Sequence, residues 1–306
     1  MSMPALVAKP IPATEWPTIG LAATIHGGWI ALVVLHASLP WWAFVCLAAV
    51  LSAWFGSLQH EIIHGHPTRS ARLNAMLASP PLWLWLPWPR YRDSHLAHHR
   101  DPRLTDPLDD PESRYRTPEA WAALGPAGRA LDHLQSTLAG RMLIGPAYGI
   151  ALFLRAEAAA LAAGDGDARR AWRFHAIWMV PHCMFVFWIC EVPFWLYALG
   201  FVQGGYALTL IRSFAEHRAA PAIAHRTAIV EGSALFGPLF LFNNLHAAHH
   251  RWPRVPWYRL PALYRAERDR LLADNGGLVY RGYGEIARRF LFRRHDSPVH
   301  PTGRAP

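Results

Sequence analysis

Residues 41–66 read WWAFVCLAAVLSAWFGSLQHEIIHGH, an apolar run that ends in three histidines. Its apolar part, about Trp41 to Leu58, is close to the roughly 20 residues a helix needs to cross the hydrocarbon core of a bilayer, and it contains no charged side chain. If the helix continues past the span, His60 and His64 stand at i and i+4, so their imidazoles leave one face and can share a metal ion. A spanning helix that delivers metal ligands at its end predicts an all-α, polytopic membrane protein.

The chain on either side repeats this theme. An apolar block from about Ile19 to Leu39 precedes Pro40 and makes a helical hairpin with the first stretch. From about Phe174 to Ile211 the chain is again apolar, broken by Glu191-Val192-Pro193, which fits two more spans and a tight turn. About four spans in two hairpins result. Ahead of Pro17 there is one Lys and several prolines but no basic run with a cleavage site, so the first helix is expected to stay.

Between the hairpins, Leu73–Trp88 contains Pro80, Pro81, Pro87 and Pro89 and reads as interfacial, because prolines leave backbone groups unpaired in lipid. Leu143–Leu161, with Gly145, Pro146, Gly149 and Arg155, reads as an amphipathic surface helix, a span being the alternative. About Ala234 to Leu245 is too short to span and is expected at the interface, followed by an Arg-rich, amphipathic tail around Arg288–Arg294. The expected organisation is one membrane-embedded domain: first hairpin 19–58, polar region 59–172, second hairpin 173–213 and polar region 214–306.

Composition supports the membrane. Of 306 residues, 52% are hydrophobic and 17% charged, which excludes a disordered or fibrous chain, and 30 Lys+Arg against 21 Asp+Glu give +9. That charge suits nucleic acid or anionic lipid, and the apolar content selects lipid, so no nucleic-acid partner is expected. The turns at Leu39-Pro40 and Glu191 carry no Lys or Arg, which places the polar regions and both termini in the cytoplasm, in a bacterial-type cell membrane. Cys46, Cys183 and Cys190 have no CxxC spacing, so no disulfide framework or zinc knuckle is expected, and they read as buried packing residues. The 15 tryptophans suit an interfacial belt or an apolar substrate tunnel.

The 18 histidines are the chemical signal. Beside His60-Glu-Ile-Ile-His64-Gly-His66 stand His95-Leu-Ala-His98-His99 and His246-Ala-Ala-His249-His250, two segments of identical HxxHH spacing, and His217 ends Ser213-Phe-Ala-Glu216-His217 after the last span. His26, His36, His175 and His182 read as packed residues, and His133, His225, His295 and His300 as solvated ones. His60, His64, His95, His98, His99, His217, His246, His249 and His250 exceed what one four-coordinate zinc uses, so two metals are implied, a combination suited to activating dioxygen. His66, Glu61, Ser213 and Asn244 are candidates for supporting ligands from behind. His60-Glu61-Ile-Ile-His64 also fits the HExxH pattern of zinc proteases, but a protease leaves both HxxHH segments unexplained. A metal transporter is disfavoured because its sites lie near the bilayer midplane, whereas these clusters lie outside the spans.

HEIIH, HLAHH and HAAHH in this order, with a span pair between the last two and the run His249-His250-Arg251-Trp252-Pro253 after them, resemble the membrane fatty acid desaturase superfamily over about Phe55 to Pro261. The resemblance implies four spans, a cytosolic helical cap with two irons, O2 as oxidant and His217 as a ligand between the second and third boxes. Three residues inside the first box, and Ser213 where the acyl-CoA branch has Asn, make the chain more similar to acyl-lipid and bacterial members. No fused cytochrome b5 segment is present, so the resemblance implies a separate ferredoxin, cytochrome b5-like or rubredoxin-type electron donor. The expected reaction is acyl-lipid desaturation; hydroxylation or ketone formation on a lipid or carotenoid, or desaturation of a small amino-acid-like metabolite, are the alternatives. Arg90, Arg92 and Arg100, which flank the second box, are candidates for a substrate head group, with anionic lipid as the other reading. Asp101, Asp106, Asp109, Asp110 and Glu112 are expected to form a solvated acidic loop, one of which can support a box histidine.

Overall fold

The computed structural model describes residues 10–100 and 103–301 together with Pro4 and Val7. Helices α1 (Trp16–Val34) and α2 (Trp41–Ile63) form the first hairpin, α1 with Pro17 in its first turn and α2 immediately after Pro40, where a fixed φ suits a helix start. The helix α2 runs five residues past the expected end of the span, carrying His60 and Glu61 on its last turn and His64 at its cap. Among the described residues, three helices are by themselves long and apolar enough to cross a membrane: α1, α2 and Phe194–Glu216.

The proline-rich piece is not a surface layer. After α3 (Ala71–Ala78), capped by Ser70, the chain turns back onto α2: Gln59 Nε2 donates to Ala78 O (2.8 Å), Trp83 Nε1 donates to Ser52 O (3.2 Å), and Leu82 and Trp83 are buried. Prolines tighten the turns, and two polar bonds tie the segment to α2: the Gln59 side chain to the Ala78 carbonyl, and the Trp83 indole to the Ser52 carbonyl, the kind of internal pairing a bilayer demands. Trp88–His98 is α4.

Gly145–Ala162 (α5) was expected on the surface. It meets Gly166–Ile189 (α6) at a bend of 118°, and the two are long and apolar enough together for a broken span or a re-entrant pair, so the candidate spans among the described residues number three, or four if this pair is one. The bend is made by Gly164 at φ +83°, a conformation costly for other residues, and Asp165 caps the following helix by accepting from Asp167 N and Ala168 N. The second hairpin turns where expected, between Ile189 and Phe194, with Glu191 at φ +55°. Phe194–Glu216 is α7. It packs on α2 through a GxxxG pair, Gly200 and Gly204, and through Gly205, against Ala48, Ala49 and Ser52; a Cβ at any of the three would collide. Where the π-turn Ala198–Gly204 loosens α7, Ser52 Oγ donates to Phe201 O (2.6 Å).

The chain forms two compact units. One comprises Pro12–Asp93 and Gly145–Thr209 and holds most of the apolar helices; the other comprises Met1–Ile11, Ser94–Ile144 and Leu210–Pro306. The second departs from the all-α expectation in a small way: Ile229–Val230 (β1) pairs in parallel with Val279–Tyr280 (β2). These strands, α8 (His246–Arg251), α9 (Leu260–Asp274) and α10 (Tyr283–Phe290) surround a core of Ile229, Leu245, Ala248, Val255, Leu260, Leu263 and Leu271. Of the segment 234–245, Leu245 enters this core with Phe242 packed against it, the chain turning through Leu241 and Phe242 at positive φ, while Leu235 is exposed.

Other expectations need correction. Cys46 is exposed and Cys183 and Cys190 are half-buried. His300 is buried, with Nε2 3.1 Å from Thr105 Oγ1, and His295 is enclosed by Arg114 (2.8 Å to Nδ1) and Tyr280 OH (2.9 Å to Nε2), so neither is a solvated tail residue. His26, His36 and His175 bond backbone carbonyls and His182 bonds the Tyr197 hydroxyl, as packed histidines do.

Candidate metal centre

In the unit that contains Ser94–Ile144 and Leu210–Pro306, helical spacing delivers seven histidines. The end of α4 supplies His95 and His98, with His99 next; α8 supplies His246, His249 and His250; His217 follows α7. One potential ligand atom from each of His98, His217, His246 and His250 lies within 4.8 Å of the other three. Their Nε2 atoms form a chain: His98 to His217 at 3.1 Å, His217 to His246 at 2.9 Å, His246 to His250 at 3.1 Å.

Protons decide what this arrangement can hold. His98 Nδ1 faces Asp110 Oδ1 (2.9 Å), His217 Nδ1 faces Arg226 O (3.3 Å), and His246 Nδ1 faces Asn243 Oδ1 (3.2 Å) and Glu216 Oε1 (3.2 Å). All are acceptors, so these Nδ1 atoms carry protons; in the neutral His217 and His246 rings the Nε2 lone pairs point at one another, and His98 Nε2 joins them once that ring gives up its second proton on binding a metal. Burial, and after it the neighbouring imidazoles, holds His217, His246 and His250 well below the ordinary histidine range and lowers His99 to about 3, which keeps these rings neutral. Converging lone pairs repel unless a cation sits among them. Separations of 2.9–3.1 Å match neighbouring positions around a metal with bonds of about 2.1 Å and near-octahedral angles, which would set nitrogens about 3.0 Å apart. The donor set fits an imidazole-loving ion, iron among them.

The remaining three histidines of this unit lie beside that group. His249 Nε2 is 3.1 Å from His99 Nε2, and the His95 ring lies 4.7 Å from that of His99. His95 Nδ1 is held by Glu112 Oε1 (2.9 Å), and burial outweighs this carboxylate to lower the His95 pKa. His98 goes the other way: burial disfavours its cation, but the Glu112 and Asp110 carboxylates push it up to about 9. In the unit of apolar helices, His60 and His64 share one face as their spacing predicts, ring centroids 5.1 Å apart, with Glu61 buried on the same turn.

Several supporting residues differ from those expected. His66 pairs with the buried Glu15 (2.5 Å). Ser213 Oγ turns back to Leu210 O in its own helix (3.4 Å), and Asn244 Nδ2 donates to Val230 O (2.6 Å), so the amide behind the third box is that of Asn243, which also donates to Glu216 (3.3 Å). Glu216 is held in turn by Arg212 (2.9 Å). The acidic loop is a structural part of the centre: Asp110 is buried, accepts from Thr105 N (2.8 Å) and Glu112 N (2.9 Å), and supports His98. Asp106 caps the turn at Leu108 and Asp109, Asp109 pairs with Arg103, and Asp101 lies outside the described residues. Nothing in the sequence singled out Asp110 and Glu112 from the other acids of the loop. Nothing local announced Thr105, at φ +68° for a β-branched residue, or its contact with His300. Arg90 donates to Glu157 (2.9 Å), a carboxylate that also accepts from Trp172, and Arg92 pairs with Asp93 (2.8 Å), while Arg100 is exposed.

A membrane chain with clustered imidazoles backed by carboxylates belongs to a defined class: the fatty acid desaturase family model matches residues 37–284, and this protein is a member of that family. Among its relatives are a beta-carotene ketolase of Paracoccus sp. (strain PC1), 29% identical over 82% of this chain and 94% of that protein, and a beta-carotene ketolase of Paracoccus sp. (strain N81106 / MBIC 01143), 26% identical over 79% of this chain and 86% of that protein. The chain is thus an oxidoreductase of the desaturase family whose similarity to these ketolases covers about four fifths of its length.

Proposed function

We propose that this protein is an O2-dependent membrane di-iron oxygenase that converts a ring methylene of a carotenoid-like hydrocarbon to a ketone. The observation that carries the chemistry is the convergence of four imidazoles, of which His98, His217 and His246 have Nδ1 held by an acceptor from behind. His98, His217, His246 and His250 would hold one iron, and His95, His99 and His249 would contribute to the other, for which the family resemblance implies the first box, His60 and His64, as a further source of ligands. When bound, the iron pair supplies the reductive activation of dioxygen needed to oxidise an unactivated C–H bond. Methylene to ketone consumes two O2, four electrons and four protons and releases three waters. The three separate cysteines offer no redox centre of their own, so electrons come from a ferredoxin-, cytochrome b5- or rubredoxin-type carrier.

The protein's part is to fix the imidazole tautomers and to receive an apolar molecule. Asp110, Glu112 and Asn243 do the first. For the second, Arg90 and Arg92 are committed to carboxylates, which weakens the case for a charged head group, while Trp85 meets Tyr206 (5.1 Å) and Phe153 (5.3 Å) in an aromatic wall suited to a polyene. The ketolase relatives favour the ketone over the acyl-lipid double bond expected from the first box. Uncharged outer turns and basic cap segments support cytoplasmic histidine boxes and termini.

Expression in aerated cells that accumulate beta-carotene, with a ferredoxin system, is expected to give a product that has gained one oxygen and lost two hydrogens per oxidised ring, and His249→Ala is expected to abolish it. Unchanged carotenoids together with acyl chains two hydrogens lighter would replace this reading with desaturation.

A further inference from the structure

The unit that holds the seven histidines also carries an apolar face with arginines, unused by the chemistry above. Phe292 is 80% exposed and Leu143 74% exposed, with Leu291 and Ile144 also exposed. The two segments are neighbours: Ala139 N donates to Leu291 O (3.0 Å), and His295 N donates to Ser136 O (2.7 Å). The helix α10 packs through buried Tyr283 and Ile286, and its end continues with helical φ and ψ at Leu291, so Arg288, Leu291 and Phe292 share one side at i, i+3 and i+4. Arg288 and Arg293 are exposed and form no ion pair with a carboxylate among the described residues, and no acidic residue occurs from 286 to 295.

Two features tie this face to the bilayer. The exposed Leu143-Ile144 leads without a break into the apolar helix α5 at Gly145. From the other side, Phe214 packs against Phe290 (6.2 Å between centroids) and against His295 (5.0 Å). Phe214 lies near the end of the span Phe194–Glu216. The twenty residues from Phe194 to Phe214 rise about 30 Å, the thickness of the hydrocarbon core, so Phe214 stands near the level of the head groups. An exposed aromatic ring flanked by unpaired arginines at that level has the chemistry of an interfacial anchor, the ring in the acyl boundary and the guanidinium groups on phosphates.

We propose that Leu143, Ile144, Leu291 and Phe292, with Arg288 and Arg293, form a membrane-surface anchor that binds anionic lipid of the bilayer spanned by α1, α2 and α7. The test uses the full chain in nanodiscs, with Cys46, Cys183 and Cys190 replaced by alanine and a single cysteine at Phe292→Cys carrying an NBD fluorophore. In phosphatidylglycerol discs the emission is expected to be blue-shifted, quenched by lipids with a spin label high on the acyl chain, and protected from aqueous iodide. Arg288→Glu with Arg293→Glu is expected to reverse this protection in phosphatidylglycerol discs. A second probe at Leu143→Cys reports the same depth independently, so a misfolded Phe292 variant does not decide the matter. Iodide quenching at both positions in every lipid would overturn the proposal. So would protection that appears only after an acidic redox protein is added, which would make the face a protein-docking surface.

Discussion

Asp110→Asn tests the part of the centre that the acidic loop provides. Asp110 Oδ1 accepts from His98 Nδ1 and Glu112 N, each at 2.9 Å, and Oδ2 accepts from Thr105 N at 2.8 Å, with the carboxylate 3% exposed. An amide has the same shape but one acceptor fewer. If its oxygen faces His98, the Thr105 N–H meets an NH2 group and a buried donor is orphaned, at a cost of about 1–3 kcal/mol to the loop. If its NH2 faces His98, the Nδ1 proton is displaced to Nε2 and the ligand lone pair is lost. In the first orientation the ring still loses the negative charge that raises its basicity. A support of this kind typically contributes about 10- to 100-fold in metal affinity, or about 1.4–2.7 kcal/mol. Purified protein loaded with ferrous iron and then challenged with a chelator should release iron faster from Asp110→Asn by a factor in that range. Glu119→Gln, on an exposed helix, should release it at the parent rate. Equal release from Asp110→Asn and the parent would refute the reasoning that joins this loop to the ligand.

Three further outcomes follow from the same structure. His300→Phe removes the Thr105 Oγ1 partner at 3.1 Å and should speed both amide exchange at Thr105 and iron release, by less than Asp110→Asn since one hydrogen bond of about 1 kcal/mol is lost, with His300→Gln restoring part of it. Burial, and then Arg114 and other arginines, lowers the His295 pKa to about 2, so the folded protein holds this ring neutral while the unfolded chain takes up a proton below about 6.5. Stability from this site is therefore complete above pH 7 and lost as pH falls, by up to about 1.4 kcal/mol per unit; His295→Asn should flatten the fall in Tm between pH 7 and 5, and parallel curves would contradict the assignment. Gly56→Ala places a Cβ 2.5 Å from Trp83 Cζ2, so it should cost about 1–3 kcal/mol in thermal stability in detergent, unlike Gly20→Ala, which meets open space.

The sequence by itself determined the elements and the chemistry. Twenty-residue apolar runs cross a bilayer whatever surrounds them, so α1, α2 and the turn at Glu191 were legible, and i, i+4 spacing put His60 with His64 and His246 with His250 on common faces because helix geometry is local. What depended on distant parts of the chain was not legible. The sharp bend between α5 and α6 hangs on one glycine at positive φ, and the packing of the proline-rich segment hangs on the space at Gly56. The choice of Asn243 over Asn244 behind His246 follows from a loop folded through Leu241 and Phe242 at positive φ, which no periodicity records. Asp110 and Glu112 looked like solvated acids because charge in a polar stretch is cheapest in water; only the fold brings His98 and His95 close enough for hydrogen bonds to offset the loss of that water. Local spacing clustered the histidines, and tertiary packing chose the groups that aim them, since a hydrogen bond between residues far apart in sequence exists only once the chain between them is folded.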